Sequence, residues 1–269
     1  MPAIEVVDRA RVAERLAASV REAGALALSM FQTPIKTWTK AGASPVSEAD
    51  IAVDRLLRQR LTGEGDGFAW LSEESADDPA RLSARNVWIV DPIDGTRAFL
   101  AGLPDWSVSA ALVENGRPVV ACLCAPATGE LFAAIAGKGA TRNGAAIATT
   151  AGATLAQARI TGPKGLLERF AAVAPPLVVM PRVRSLALRF ARVAQGACDI
   201  AFAGDDSHDW DLAAADLLVH EAGGAMTEFA GGAVTYNRAA PRHGMLVAAG
   251  RDRHAAVVDL LRERGIAPS

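Results

Sequence analysis

Apolar residues recur along the chain in two rhythms. From Val7 to Met30, Val12, Leu16, Val20, Leu26 and Leu28 stand among charges and alanines at the spacing of an amphipathic helix. After Pro34 the polar stretch Ile35 to Pro45, with Gly42, predicts a strand or hairpin leading into a loop. Ser47 is placed to cap a second helix, with Asp50 at its third position as in a capping box. Ile51, Leu56, Leu57 and Leu61 form that helix's buried stripe, and Gly63 stops it. From Phe68 the rhythm shortens. Phe68 to Leu71 and Val87 to Val90 read as strands, each running directly into acids. Ser107 to Val113 and Pro118 to Ala125 read as a hairpin through Asn115-Gly116, a dipeptide that favours the positive φ angles of a tight turn. Leu131 to Ile135 and the Asn143-Gly144 turn extend the same sheet.

Beyond Thr150 the pattern changes. Leu166 to Ala171, Leu186 to Ala194 and Leu212 to Ala222 read as helices, set between short strands at Val178, Ile200 and Met245. Such alternation predicts α/β layering. Residues 1–150 then make an N-terminal α+β half and residues 151–269 a C-terminal α/β half, joined as one unit.

Composition narrows the function. A chain of 269 residues with 51% hydrophobic and 22% charged residues buries a substantial core, which excludes general disorder. Lys plus Arg total 28 against 30 Asp plus Glu, so no positive field is available to hold a long nucleic acid. No apolar run approaches the roughly 20 residues of a membrane helix, and Met1 to Asp8 lacks a signal peptide's basic start; the expected location is the cytoplasm. Three cysteines form no disulfide framework, and Cys122 and Cys124, two apart on a strand, would share one face as small core residues.

The chemistry is carried by three separated segments: Leu71-Ser72-Glu73-Glu74-Ser75, Trp88-Ile89-Val90-Asp91-Pro92-Ile93-Asp94-Gly95-Thr96, and Asp209-Trp210-Asp211, which opens the helix that closes at Gly223-Gly224. In the middle segment a buried strand delivers Asp91, Pro92 fixes a sharp exit, and Asp94 follows on the same turn. Gly95 then permits close backbone approach, and Thr96 begins a short helix. Asp91 and Asp94 can be read simply as turn caps. Read as a site, two carboxylates beside a helix N-terminus are compatible with an anion only if a hard cation such as Mg²⁺ lies between them.

The order E-E, D-P-I-D-G-T, W-D-x-A-A and E-A-G-G resembles the inositol monophosphatase family of Mg²⁺-dependent, lithium-sensitive phosphatases across nearly the whole chain. Pro45-Val46-Ser47-Glu48-Ala49-Asp50 is similar to that family's early acidic segment. The resemblance implies a layered αβαβα sandwich of the sugar-phosphatase type, a site in the crevice between the halves, and a homodimer. It implies two or three Mg²⁺ ions per site: Glu73, Asp91 and the Ile93 carbonyl around the first, and Asp91, Asp94 and Asp211 around the second. Glu74 is not expected to be a ligand, since adjacent side chains on an extended segment point apart. Thr96, hydrogen-bonded to Asp50, would orient the attacking water and accept its proton. The N–H groups of Gly95 and Thr96, with Asp94 and Asp211, would meet the phosphate.

The substrate is a small phosphorylated metabolite. Animal inositol phosphatases carry a Glu shortly before W-D, and Ala201-Phe202-Ala203-Gly204 has none. Arg97-Ala98-Phe99 resembles the bacterial 3'(2'),5'-bisphosphate nucleotidase branch, where a guanidinium at Arg97 would meet a further phosphate bidentately. The same pattern resembles histidinol-phosphatase members, in which the acidic loop Asp205 to Asp209 would meet the substrate amine. Ser185 is a further expected substrate contact. The first expectation is therefore a 3'(2'),5'-bisphosphate nucleotide, with inositol monophosphate and histidinol phosphate as alternatives. A non-catalytic, metal-binding regulatory homologue is the rival of another class, and the intact acidic set speaks against it. His208 reads as a solvated loop residue, and His220, His243 and His254 receive no role. Gly137-Lys138-Gly139 reads as a hairpin turn, because no G-K-[ST] follows.

Overall fold

A computed structural model describes residues 7–40, 45–63 and 67–265. Gly42, and residues 1–6 of the stretch compared with a signal peptide, lie outside them. Helix α1 (Arg9–Met30) begins at Asp8, whose Oδ1 accepts the N–H groups of Ala10 and Arg11 at 3.1 and 3.2 Å. Strands β1 (Thr37–Thr39) and β2 (Pro45–Ser47) pair antiparallel, and α2 (Glu48–Leu61) leaves directly from Ser47.

Seven strands then form one sheet in chain order: β3 (Ala69–Ser72), β4 (Asn86–Asp94), β5 (Ser107–Glu114), β6 (Arg117–Ala125), β7 (Glu130–Ile135), β8 (Ala140–Arg142) and β9 (Ala145–Ile147). β3 and β4 run parallel, and every later pairing is antiparallel. Helix α3 (Thr96–Leu100) follows β4. The remaining chain supplies β10 (Arg159–Thr161), α4 (Lys164–Ala171), β11 (Val178–Val179), α5 (Leu186–Ala194), β12 (Ile200–Ala203), β13 (Ser207–His208), α6 (Asp209–Glu221), β14 (Gly224–Glu228), β15 (Arg242–His243), β16 (Leu246–Gly250) and α7 (Arg251–Glu263). A second sheet has the order β11-β10-β12-β16-β14, and β13 pairs separately with β15.

Three apolar clusters define the layers. Leu16 and Val20 of α1 and Leu57 and Leu61 of α2 pack on Trp88, Val108 and Val120 of the large sheet. On its other face Phe190 of α5 and Leu212 and Leu218 of α6 meet Leu123 and Phe132, and the same helices meet Ala201 and Leu246 of the second sheet. Phe170 of α4 and Val257 and Leu261 of α7 cover the far side of that sheet through Phe202 and Val247. The result is an αβαβα sandwich with α5 and α6 in the middle. A helix between two sheets is apolar nearly all round, and in α6 every residue from Leu212 to Val219 is buried.

Local readings need three corrections. The buried face of α1 is Val12, Leu16, Ser19, Val20, Ala23, Gly24 and Ala27, whereas Leu28 is 43% exposed. A Cβ at Gly24 would stand 2.9 Å from Cys124 Sγ, so the helix lies too close to the sheet for large side chains there. In α2 the buried positions include Ala49, Val53 and Asp54 beside Leu57 and Leu61, while Ile51 and Leu56 are half-buried. Strand β4 does not end before Pro92. It continues to Asp94 with a register shift between Asp91, opposite Ser109, and Asp94, opposite Ser107. Proline has no N–H for the ladder, and the irregularity absorbs it.

Cys122 and Cys124 lie buried on β6 in the α1-facing cluster; burial pushes both thiols up, Cys124 to about 11. The turn from β7 to β8 carries Gly137 and Gly139, whose N–H groups donate to the two carboxylate oxygens of Glu221 at 2.8 and 2.7 Å. The segment that superficially resembles a phosphate loop already holds an anion of its own chain.

Candidate active site

The acidic side chains come together from four elements. Asp50 is the third residue of α2; its Oδ2 accepts the N–H of Ser47 at 2.8 Å and the Ser47 hydroxyl at 2.5 Å. Oδ1 accepts from Thr96 Oγ1 at 3.2 Å, and the same hydroxyl lies 3.0 Å from the Ile93 carbonyl. Asp91 and Asp94 stand at the irregular end of β4, and Glu73 follows β3. Asp211 is the third residue of α6, and its Oδ2 accepts the His208 N–H at 2.6 Å. Thr96 opens α3 behind Gly95, whose φ of 90° and whose closeness to Asp105 O and Ser185 N, each 3.1 Å from a built Cβ, admit only glycine without strain.

Asp94 is fixed by another helix. Its Oδ2 accepts from Ser185 Oγ at 2.5 Å and Ala187 N at 2.7 Å, and its Oδ1 from Leu186 N at 3.0 Å, so it sits on the N-terminus of α5. Ser185, fully buried, also caps Leu188 N at 3.0 Å and lies 2.9 Å from Ser107 Oγ. The positive ends of α2, α3, α5 and α6 therefore converge on the carboxylates and offset part of their repulsion.

The rest is not offset. Burial, then the charges of Glu73, Asp94 and Asp211, push the Asp91 carboxyl well above its usual range. Asp211 is pushed well up in the same way by burial and then Asp94. Asp94 is raised by burial against its hydrogen bonds from Ser185, Leu186 and Ala187. Glu73 is raised to about 7, burial outweighing the attraction of Lys40. Burial also raises Asp50 against the donors from Ser47 and Thr96.

Asp91 Oδ1 is buried with no hydrogen-bond partner, and ligand atoms of Asp91, Asp94 and Asp211 lie within 4.8 Å of one another. An all-oxygen, all-carboxylate set with an orphaned buried oxygen fits a hard divalent cation of the Mg²⁺ kind. Glu73 joins Asp91, Ile93, Asp94 and Asp211 in lining the cleft, whereas the Glu74 side chain is buried with its Oε1 2.5 Å from Lys40 Nζ.

The cleft, about 370 Å³, is also lined by Pro45, Gly95, Thr96, Arg97, Arg182 and Arg184. The last two were missed from sequence, although Arg182-Val183-Arg184 places two cations on one side of an extended segment directly before Ser185. Arg184 is tied to Asp105 by its N–H at 2.8 Å and its guanidinium at 3.3 Å. Buried Arg189 holds the segment from behind, donating to Val183 O at 2.8 and 3.1 Å and to Phe202 O at 3.0 Å. His208 is not a solvated loop residue: it is half-buried on β13 and stacks on Trp210 at 4.6 Å and 6°. His243, given no role from sequence, is fully buried against Asp209.

A floor of carboxylate oxygens under a rim of arginines, carried on this αβαβα sandwich, defines a phosphoric monoester hydrolase. The family model described as "Inositol monophosphatase family" matches residues 8–265, and the chain belongs to that family. It is 37% identical over 207 residues to a histidinol-phosphatase of Mycobacterium tuberculosis, covering 72% of this chain and 77% of that one. To an inositol-1-monophosphatase of Rhizobium meliloti it is 36% identical over 202 residues, covering 72% and 75%. To the 3'(2'),5'-bisphosphate nucleotidase CysQ of Aggregatibacter actinomycetemcomitans it is 28% identical over 237 residues, covering 81% and 84%. Among solved structures, the extragenic suppressor protein suhB of Bartonella henselae superposes with a TM-score of 0.82 at 28% identity, over 94% of this chain and 99% of that one. An IMPase/NADP phosphatase complexed with Mg²⁺ and phosphate shares the fold with a TM-score of 0.81 at 20% identity, over 95% and 96%. No helix among the described residues is long and apolar enough to cross a membrane.

Proposed function

We propose that this phosphatase removes a phosphate from a 3'(2'),5'-bisphosphate nucleotide. The observation that carries the reading is the placement of Arg97, Arg182 and Arg184 on the cleft that Glu73, Asp91, Asp94 and Asp211 also line. An ester with a second anionic group gains charge-assisted bonds there, and an uncharged polyol does not. Strand β12 ends at Ala203 and Gly204 follows, with no acid in this stretch to accept sugar hydroxyls. The acidic loop offers little to an amine: Asp206 pairs with Arg242, and Asp209 is buried against His243 and the Asn237 N–H. Histidinol phosphate stays the second reading, on the 37% identity to the M. tuberculosis enzyme.

Glu73, Asp91, Asp94, Asp211 and the Ile93 carbonyl are the groups that would hold Mg²⁺. When bound, the ions stabilise charge on the phosphoryl oxygens and lower the pKa of the attacking water. Thr96 orients that water through its hydroxyl. Asp50 Oδ2 is taken by Ser47, so Oδ1 is the oxygen on which Asp50 receives a proton through Thr96 Oγ1. The burial that raises the Asp50 carboxyl suits this part. The N–H groups of Gly95 and Thr96 face the phosphate, Arg97 and Arg182 meet the second anion, and Arg184 is held on Asp105. Ser185 acts through Asp94, which it anchors. The reading carries a homodimer, as the family resemblance implies, and the cytoplasmic location expected from the sequence.

The test is a rate comparison on adenosine 3',5'-bisphosphate, inositol 1-phosphate and histidinol phosphate at fixed Mg²⁺. A higher kcat/KM on the bisphosphate is expected, and preference for either other ester rejects the assignment. Absence of Mg²⁺-dependent hydrolysis of all three would favour a regulatory homologue.

A further inference from the structure

A run of polar groups, with Arg81, Asp209 and His243 buried and Asn237 half-buried, joins the segment after Glu73 to the first turn of α6. Arg81, 1% exposed, donates to both carboxylate oxygens of Asp77 at 2.5 and 2.9 Å. Its Nη1 donates to Asn237 Oδ1 at 2.8 Å and Arg238 O at 3.0 Å, and Asn237 Nδ2 returns to Arg81 O at 2.9 Å. Asn237, held at a φ of 58°, donates its N–H to Asp209 Oδ2 at 2.7 Å. His243 Nε2 lies 2.6 Å from Asp209 Oδ1, and neither side chain has any exposure. A carboxylate oxygen only accepts, so Nε2 donates to Asp209, and the Arg238 guanidinium stands 3.4 Å from His243 Nδ1 on the other side of the ring.

Asp209 and Asp211 are the first and third residues of α6. Two positions along a helix turn the side chain by about 200°, so the two carboxylates project to opposite sides of the axis. A grip on Asp209 fixes the rotation of the first turn, and with it the direction of Asp211. Asp211 is also the one carboxylate of the cleft lining that comes from the second half of the chain; Glu73, Asp91 and Asp94 come from the first. Oxygen ligands must reach Mg²⁺ at about 2.0–2.1 Å in near-ideal geometry, so a small rotation of α6 would remove one.

We propose that Arg81, Asn237, Asp209 and His243 are positioning residues that hold Asp211 in register with Asp91 and Asp94. They do so by tying the first turn of α6 to the segment that carries Glu73. The inference rests on the metal-dependent reading of the cleft, and adds to it residues that touch neither metal nor substrate.

The experiment is a Mn²⁺ titration of the full chain, with free Mn²⁺ read by electron paramagnetic resonance and melting followed in parallel. His243→Leu is expected to weaken the Asp211-containing site by about tenfold to a hundredfold while the remaining site stays within about twofold. His243→Gln, whose amide N–H can replace Nε2–H, is expected to recover affinity to within about threefold of the parent protein. Asn237→Gly keeps the left-handed backbone and the N–H to Asp209 but cuts the tie to Arg81; an intermediate loss at the same site is expected. If His243→Leu does not fold, Asn237→Gly decides. Unchanged affinity in the folded variants, or equal loss at both sites without rescue by Gln, overturns the inference. Failure of the parent protein to take up Mn²⁺ overturns instead the metal reading beneath it.

Discussion

Asp50 and Asp211 hold the same place in different helices: each is the third residue, and each accepts the N–H of its cap residue, from Ser47 at 2.8 Å and from His208 at 2.6 Å. In both, one carboxylate oxygen is bound by the backbone. A helix start is thus used twice to hold a carboxylate, Asp50 against Thr96 in one case and Asp211 beside Asp91 and Asp94 in the other.

Asp50→Asn keeps a carbonyl for the Ser47 N–H but removes the proton acceptor beside Thr96. Loss of about 10²–10⁴-fold in kcat is expected, with melting temperature and Mg²⁺ affinity little changed. Unaltered kcat in a steady-state assay would exclude Asp50 from the proton path.

Asp91→Asn is expected to abolish activity and to raise the melting temperature of the metal-free protein. The carboxylate is buried, has an unpartnered oxygen, and is opposed by Glu73, Asp94 and Asp211. Removing its charge relieves that repulsion, a case of function maintained against stability. Melting curves with and without Mg²⁺ check both halves: the variant starts higher and gains less from the ion. A lower metal-free melting temperature would contradict the account.

Glu73 supplies a pH dependence. Its carboxyl is raised from 4.5 to about 7 in the folded state, so between those values the native protein holds a proton that the unfolded chain has released. Stability falls with rising pH wherever the native state binds more protons. The metal-free protein should therefore lose melting temperature as pH rises from about 5 to about 7. Mg²⁺ should displace the proton, and calorimetry in buffers of different ionisation enthalpy should register its release. A flat profile without metal would show that Glu73 is not held protonated.

Ser185→Ala removes the hydroxyl that caps α5 and donates to Asp94. A loss of about 1–3 kcal/mol is expected from the Asp94 oxygen left short of a donor and the Leu188 N–H left without its acceptor, read by urea denaturation. Weaker Mg²⁺ binding should accompany it, since Asp94 loses one of its three donors.

Arg182→Ala bears on substrate choice. The rate on adenosine 3',5'-bisphosphate should drop by about tenfold or more, the weight of one charge-assisted hydrogen bond. The rate on inositol 1-phosphate should stay near its parent value. Equal losses on the two esters would make Arg182 a general contributor to the cleft's potential.

Where the fold was legible, one pattern dominated. Helix α5 shows its apolar positions openly, and its bounds, Leu186 to Ala194, are those the sequence predicts. Strand β14 was not anticipated, because Gly223-Gly224 reads as a stop. Gly224 instead opens a strand in which a Cβ would stand 2.7 Å from Ala249 O and 2.8 Å from Val219 Cγ1. Helix α7 hid behind its charges: its buried face includes Arg253 and His254 beside Val257, Val258 and Leu261. Arg253 is satisfied by the carbonyls of Thr150, Ala151 and Thr154 and by the Thr150 hydroxyl, partners that only the folded chain supplies. The acidic segments were legible because short motifs carry them. The link from His243 to Asp209 was not: the residues lie 34 apart, and the two-residue pairing of β13 with β15, with the bond from Asp209 N–H to Pro241 O, brings them together.

Glu221 closes α6 at the opposite end from Asp209, moored by the N–H groups of Gly137 and Gly139. A rod pinned at both tips can neither slide nor roll without breaking one mooring. Asp211 is thus carried at one end of a strut whose far tip is anchored on the bend between β7 and β8.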